Sequence, residues 1–424
     1  MKLSISPTCA RKKPIIARFL PAIVLLVAGA AQAQTLTAEK VVRLALERPE
    51  TVETLAAPVD AAEGDLVKAR TPRNPVFRYE REGTDGLGGD GAENFYRLER
   101  KFDLSGRRSL ARRAARARVT AARHASADAR AALRAEALRR FYKVLAAKAR
   151  AAAALALAEH LAELEDAVAS RQRAGDASTY DLARVRQETV RAPAQQSRAE
   201  ADMFAARQRL GALIGGEQIS ERTMLSGDLL PPPPAPVASL VAQVDTLPRL
   251  RALAAQAEAF RHEKKAAGKI MPDVTLGAGV KTFDRVGPLG RTDNEAGVLL
   301  SLSVPLPLFD RNQGAYRRAS AEARNAAARY ALARDRLHAE IRGLANRAAA
   351  LRQAATEYRN DTRASAAESV RIARVSYEAG EIGVMEAIDT LRAAYEAELG
   401  LIALQRDARA AFIALHELIP ETEN

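Results

Sequence analysis

The chain has 424 residues, 48% of them hydrophobic but only 4% aromatic, with no tryptophan and one cysteine, Cys9. A single cysteine excludes an internal disulfide framework, so stability must come from length and packing. The formal charge of +13 does not mark a nucleic-acid binder: five Lys and Arg fall before Gln34 without a counter-acid, and the remaining 60 are spread along helical stretches among 52 acids.

The chain opens with Lys2, Arg11, Lys12, Lys13 and Arg18, then an apolar run from Phe19 to Ala30 and the small-x-small triplet Ala31-Gln32-Ala33. Residues 1–33 read as a secretory signal peptide cleaved after Ala33, because the apolar run is shorter than the roughly 20 residues a membrane helix needs. Cys9 precedes that run and cannot be the lipid-bearing first residue of a mature lipoprotein. Beyond Gln34 no apolar run is long enough for a membrane helix, so entry into a membrane requires strands closing a barrel.

From Gln34 the sequence reads as two similar halves, 34–228 and 237–420, joined by the proline-rich connector 229–236 and followed by a short tail, 421–424. Leu104-Ser105-Gly106-Arg107 matches Leu308-Phe309-Asp310-Arg311 at an offset of 204, and Arg173-Ala174-Gly175 matches Glu378-Ala379-Gly380 at 205. Upstream, Asn74-Pro75-Val76 matches Met271-Pro272-Asp273 at only 197, which predicts seven extra residues inside the second hairpin. Each half is expected to run helix, hairpin, very long helix, tight turn, helix. In the first half these fall at about 38–69, 75–104, 106–173 and 178–214; the second hairpin is 272–308.

Arg107 to Arg173 contains neither proline nor glycine and alternates Ala/Leu seams with Arg and Glu at helical spacing. At 1.5 Å per residue this helix would be roughly 100 Å long, too long for a globular core, so neighbouring helices must run beside it.

The hairpins alternate with period two. Phe77 and Tyr79 oppose Arg78, Glu80 and Glu82; Tyr96, Leu98, Phe102 and Leu104 oppose Arg97, Glu99 and Lys101; and Val298, Leu300, Leu302, Val304 and Leu306 share one face. One face suits lipid and the other water. Arg100 breaks the apolar face and leaves that strand's register or membrane depth open. Four strands are too few to close a lumen, so closure requires several copies.

The two-fold repeat, the proline-led strands and the Ala-Gly turns between long helices resemble the TolC family of outer-membrane efflux proteins, over about Leu36 to Pro420. Glu99-Arg-Lys-Phe-Asp-Leu-Ser-Gly-Arg-Arg108 is similar to the strand-to-helix segment of its cobalt-zinc-cadmium branch. The resemblance implies a mainly α fold with a small β part. Long antiparallel coiled-coil helices would form a periplasmic tunnel, and a homotrimer would close a twelve-stranded outer-membrane β-barrel. It further implies an inner-membrane pump and a periplasmic adaptor (membrane fusion) protein as partners, outer-membrane lipid around the barrel, and neither enzymatic activity nor a cofactor.

The turns holding Ala174, Gly175 and Asp176, and Ala379, Gly380 and Glu381, would sit at the periplasmic tips; the resemblance makes them adaptor contacts, while helix capping alone also explains their glycines. Glu386 and Asp389 are three apart, on one helical face, at positions matching the family's acidic gate. In a trimer they would form rings that attract cations, while helix capping also explains a carboxylate at the first-turn position of Glu386. Asp181, at the equivalent place in the first half, belongs to the capping box Ser178-Thr-Tyr-Asp181 and is read as a cap before a gate. Arg78, Glu80, Arg97, Glu99, Lys101 and Lys281 are the candidate barrel-lumen residues. No metal site is expected: His124, His160, His262, His338 and His416 lie far apart, with no partner at helical spacing. The glycine-rich stretch 83–91 lacks the residues of a phosphate or calcium loop and reads as a hairpin tip.

The expected function is passive export of substrate, cobalt, zinc or cadmium before others, with drug efflux and type I protein secretion as alternatives on the same architecture. A soluble periplasmic coiled-coil scaffold or adaptor would explain the helices but not the alternating hairpins. A secreted hydrolase is excluded by the lack of any nucleophile elbow or metal-binding helix.

Overall fold

A computed structural model describes residues 35–84, 91–216, 219, 223–286 and 292–420. The segment read as a signal peptide, residues 85–90 of the glycine-rich stretch, residues 287–291 of the second hairpin sequence and the tail 421–424 lie outside the described residues.

The first half runs β1 (Thr35–Leu36), α1 (Ala38–Glu47), α2 (Pro49–Arg70), β2 (Val76–Thr84), β3 (Gly91–Phe102), α3 (Arg107–Ala174), α4 (Thr179–Ile214) and β4 (Met224–Leu225). The second runs α5 (Val237–Val241), α6 (Pro248–Ala267), β5 (Val274–Val286), β6 (Thr292–Ser303), α7 (Gln313–Ala379) and α8 (Val384–Leu418). The 68 residues of α3 and 67 of α7 carry the unbroken pattern seen in the sequence.

Three features differ from expectation. The helix expected over 38–69 is broken at Arg48, whose ψ of 129° is imposed by the following Pro49. The strands end at Phe102 and Ser303, short of Leu104 and Leu308; after Ser303, Pro305 and Pro307 have no amide to offer a ladder. The extra length of the second half is not all in its hairpin: the first hairpin runs from Val76 to Phe102 and the second from Val274 to Ser303, a difference of only three positions, and the remainder lies just outside the strands. The longer connection to α7 ends on Asn312, which takes the left-handed conformation (φ 65°) that Gly106 takes before α3 (φ 77°). Asn312 tolerates it while its side-chain amide Nδ2 donates to Ala267 O at 2.8 Å.

The four long strands form one antiparallel sheet in the order β2-β3-β5-β6, leaving β2 and β6 as edges. Helices bury three apolar seams. Phe141, Val144 and Leu210 join α3 and α4 to α1 and the short β1–β4 pair. Leu250, Ile341 and Leu415 join α6, α7 and α8. Leu161, Val168, Val185, Tyr377 and Ile388 unite all four long helices near the tips.

The linker is clasped rather than free. Arg409 of α8, 8% exposed, donates to the carbonyls of Asp228 (2.6 Å), Leu229 (3.1 Å) and Leu230 (2.6 Å), and Arg352 of α7 donates to Pro231 O at 3.1 Å. The Arg409 guanidinium lies over the Tyr142 ring, 4.2 Å from its centroid.

Candidate functional site

Register settles which side chains share a face of the sheet. Arg78 pairs with Arg97, Arg97 with Gly279, Glu99 with Gly277, Lys101 with Thr275, and Phe95 with both Glu80 and Lys281. With side chains alternating, Arg78, Glu80, Arg97, Glu99, Lys101 and Lys281 therefore all stand on one face. The other face carries Phe77, Tyr79, Tyr96, Leu98, Leu276, Val280, Val298, Leu300 and Leu302, each more than a third exposed.

The charged face is largely self-neutralising. Arg78 lies 3.5 Å from Glu99 and 3.6 Å from Glu80, and Arg97 contacts Glu80. Gly277 and Gly279 make room for this layer: a Cβ on Gly279 would collide with the Tyr96 carbonyl, and one on Gly277 with the Ser301 hydroxyl. Arg100 stands on the apolar face, where its guanidinium covers the Phe102 ring at 5.3 Å.

At the base of the sheet, Asp273 gathers three cations that sequence reasoning had not singled out as a group: Arg107 at 2.6 Å, Arg73 at 3.1 Å and Lys101 at 3.5 Å. Its side chain is 11% exposed, so it ties the lead-in to β5 to β3, to α3 and to the connection that follows α2. Nearby, Asp103 accepts from the Ser105 hydroxyl and from the amides of Arg108 (2.6 Å) and Ser105 (2.9 Å). Burial raises its pKa, but these bonds and the Arg107 charge outweigh it and hold the carboxyl below its ordinary value.

The two turns lie at the opposite end, beyond the full length of α3 and α7. Gly175 (φ 88°) and Gly380 (φ 79°) close these helices in the left-handed conformation, and the amides of Asp176 and Glu381 donate back to Arg171 O and Ser376 O, both at 2.8 Å. Ala174 and Ala379 are the last helical residues. Glu381 also accepts from the Ser376 hydroxyl at 2.8 Å. The tips are locked together: Arg171 donates to Tyr377 O at 2.5 Å and its guanidinium lies 5.2 Å from the Tyr377 ring centroid.

Asp181 is engaged in the full capping box, accepting from Ser178 N at 3.1 Å and Ser178 Oγ at 2.8 Å. Glu386 makes the carboxylate half of such a box, accepting from Gly383 N at 3.2 Å, since glycine has no side chain to reciprocate. Glu386 and Asp389 are both exposed, outside the seam formed by Val384, Ala387, Ile388 and Leu391. Asp389 has no ion pair among the described residues.

Two histidines do have carboxylate neighbours at helical spacing, contrary to the expectation of none: His160 lies 3.7 Å from Glu163 and His262 3.6 Å from Glu258. Each is a single pair, and among the described residues no group of three or more His, Cys, Asp and Glu is placed to hold a metal ion.

Comparison with known proteins places these features in context. A family model described as outer membrane efflux protein matches residues 245–420. The chain is 27% identical over 372 residues to the cobalt-zinc-cadmium resistance protein CzcC of Cupriavidus metallidurans, covering 86% of this chain and 85% of that one. It is 28% identical over 306 residues to the nickel-cobalt-cadmium resistance protein NccC of Alcaligenes xylosoxydans xylosoxydans, covering 69% and 66%. Among solved structures it shares the fold of CusC, with a TM-score of 0.74 at 15% identity over 91% of this chain and 92% of that one.

Proposed function

Because the chain belongs to the TolC-like outer membrane efflux protein family and is an outer-membrane efflux channel, we propose that it is the passive exit duct of a tripartite exporter for heavy-metal cations such as cobalt, zinc or cadmium. One observation carries the duct: a four-stranded sheet with an exposed apolar face, a charged face and two unpaired edges, standing on helices of about 100 Å. Such a sheet satisfies its edges and hides its charged face only by pairing with other copies. Three copies give twelve strands, with lipid outside and Arg78, Glu80, Arg97, Glu99, Lys101 and Lys281 lining the lumen. The cargo reading is supported by the metal-resistance relatives.

In this reading an inner-membrane pump supplies the energy and a periplasmic adaptor docks on the tips at Ala174, Gly175, Asp176, Ala379, Gly380 and Glu381. Glu386 and Asp389, exposed near the start of α8, form acidic rings that favour cations at the entrance. Asp181 stands at the matching place on α4, with its carboxylate committed to Ser178. The channel contributes a path and a charge preference and no bond-making step.

The test is cellular. A strain lacking this chain should retain more cobalt, zinc or cadmium than its parent after a metal pulse, and the plasmid-borne chain should restore efflux. Equal metal retention alongside lost drug or protein export would move the cargo to one of those classes.

A further inference from the structure

We infer that the protein carries a cationic collar, built from four helix ends beneath the sheet, that binds the phosphate headgroups of anionic phospholipid in the helix-side leaflet; the inference rests on the membrane-channel reading. The C-terminal ends of α2 and α6 and the N-terminal ends of α3 and α7 converge on one end of the sheet, since β2 and β5 begin there and β3 and β6 end there. Segments 66–73, 103–116, 264–273 and 310–321 hold fourteen Lys and Arg against three Asp. Outside these segments and the signal segment, 46 Lys and Arg face 49 Asp and Glu. The basic excess of the exported chain therefore resides wholly in the collar.

This charge does not serve the helices that carry it. Cations at a helix N-terminus oppose the macrodipole, yet α3 begins Arg107-Arg108 and has Arg112, Arg113 and Arg116 behind them, and neither α3 nor α7 has an acid in its first turn. Four of the helices that begin elsewhere follow the opposite rule, with Glu39, Glu50, Asp181 and Glu386 in the first turns of α1, α2, α4 and α8, whereas α5 and α6 have no acid there. Asp103, from outside α3, caps the Arg108 amide, and Asp273 occupies Arg73, Lys101 and Arg107. Arg112, Arg113, Arg116 and Arg317 are exposed and make no ion pair among the described residues. Beside them an open cavity of about 660 Å³ lies between the strand bases and helix ends, with Lys269 and Arg311 in its wall.

The apolar surroundings identify the partner. Leu104, Leu306, Leu308 and Phe309, the last 91% exposed, project from the same junction. Apolar side chains directly beneath a lipid-facing sheet, followed within two or three helical turns by unpaired arginines, match the order of acyl chain then phosphate met on leaving a bilayer. A soluble anion would account for the arginines but not for the exposed leucines and phenylalanine.

The test uses the full chain in vesicles of phosphatidylethanolamine, phosphatidylglycerol and phosphatidylcholine in equal parts, extracted in mild detergent and weighed by native mass spectrometry with its retained lipid. Retained phosphatidylglycerol should exceed phosphatidylcholine by about tenfold at low salt and lose that preference at about 1 M salt, where screening reaches about 3 Å. The variant Arg112→Gln, Arg113→Gln, Arg116→Gln, Arg317→Gln, exposed substitutions by a good helix former, should lower the preference roughly fivefold or more, and Lys at the same positions should keep it. Equal retention of the lipids, or a Gln variant that keeps the preference while its conductance changes, would overturn the collar and place the arginines in the duct. Insertion without lipid preference refutes the collar alone; failure to enter any vesicle refutes the membrane reading as well.

Discussion

The carboxylate of Glu188 on α4 lies 2.5 Å from Arg392 on α8, with only 7% of the Glu188 side chain exposed. Arg191 and Arg184 stand farther away, at 3.6 and 3.9 Å, and the second oxygen of Glu188 has no hydrogen-bond partner. Arg392 is one turn beyond Asp389, so this pair ties the helix bearing the proposed gate to the other hairpin. Removing Glu188 leaves three arginines without their acid. Glu188→Ala should lower stability by on the order of 2 kcal/mol, less than a fully buried pair because Arg392 is 39% exposed. A double-mutant cycle with Arg392→Gln, read by thermal unfolding, should give a coupling of about 1 kcal/mol; additive losses would make the contact incidental.

The proposed gate is separable from helix capping. Glu386→Gln with Asp389→Asn should reduce cation over anion selectivity in planar bilayers while leaving assembly yield unchanged. Asp181→Asn should instead cost about 1 kcal/mol of stability through its capping box and leave selectivity alone. Unchanged selectivity in the first variant would reduce Glu386 to the helix cap it makes on Gly383 N and Asp389 to a surface acid.

Two glycines of the sheet should respond oppositely. Gly279→Ala drives a Cβ into the Tyr96 carbonyl and to 3.0 Å from Arg97 Cα, whereas Gly297→Ala meets only the Lys281 side chain, at 3.5 Å from its Cγ. The first should lower the yield of assembled protein on unheated gels severalfold, and the second should match wild type.

Asp103 gives a pH signature. Its folded pKa lies below the ordinary 3.8, so the unfolded chain binds the proton first. Its stabilisation is complete above that value and is lost as pH falls through the depressed one. The melting difference between wild type and Asp103→Asn should therefore be constant near neutrality and shrink below about pH 4.

The clasp on the linker should fail when its fork is lost. Arg409→Lys keeps the charge but not three directed donors, and should cost about 1 to 3 kcal/mol and speed proteolysis or amide exchange around 227–231. Unchanged exchange there would show that the linker holds itself.

What the sequence revealed was what it encodes locally. The span of α3 follows from an unbroken helical pattern ending at Gly175, and the two faces of the sheet follow from alternation, which register alone could reverse. The break at Arg48 was signalled by Pro49 but masked by helical periodicity on both sides. The displaced length difference escaped because offsets between motifs count residues without saying where they lie. Asp273, Glu188 and Arg409 act between the halves, on Arg107, Arg392 and the Asp228 carbonyl, over separations that no local pattern spans. Nothing near Arg409 sets it apart from dozens of other arginines except the buried Ala408 and Ala411 beside it.

The most direct test of the duct itself is the mass and single-channel conductance of protein extracted from membranes in mild detergent. Particles of three copies giving cation-selective openings are the predicted result, whereas a soluble single copy without conductance would contradict the barrel.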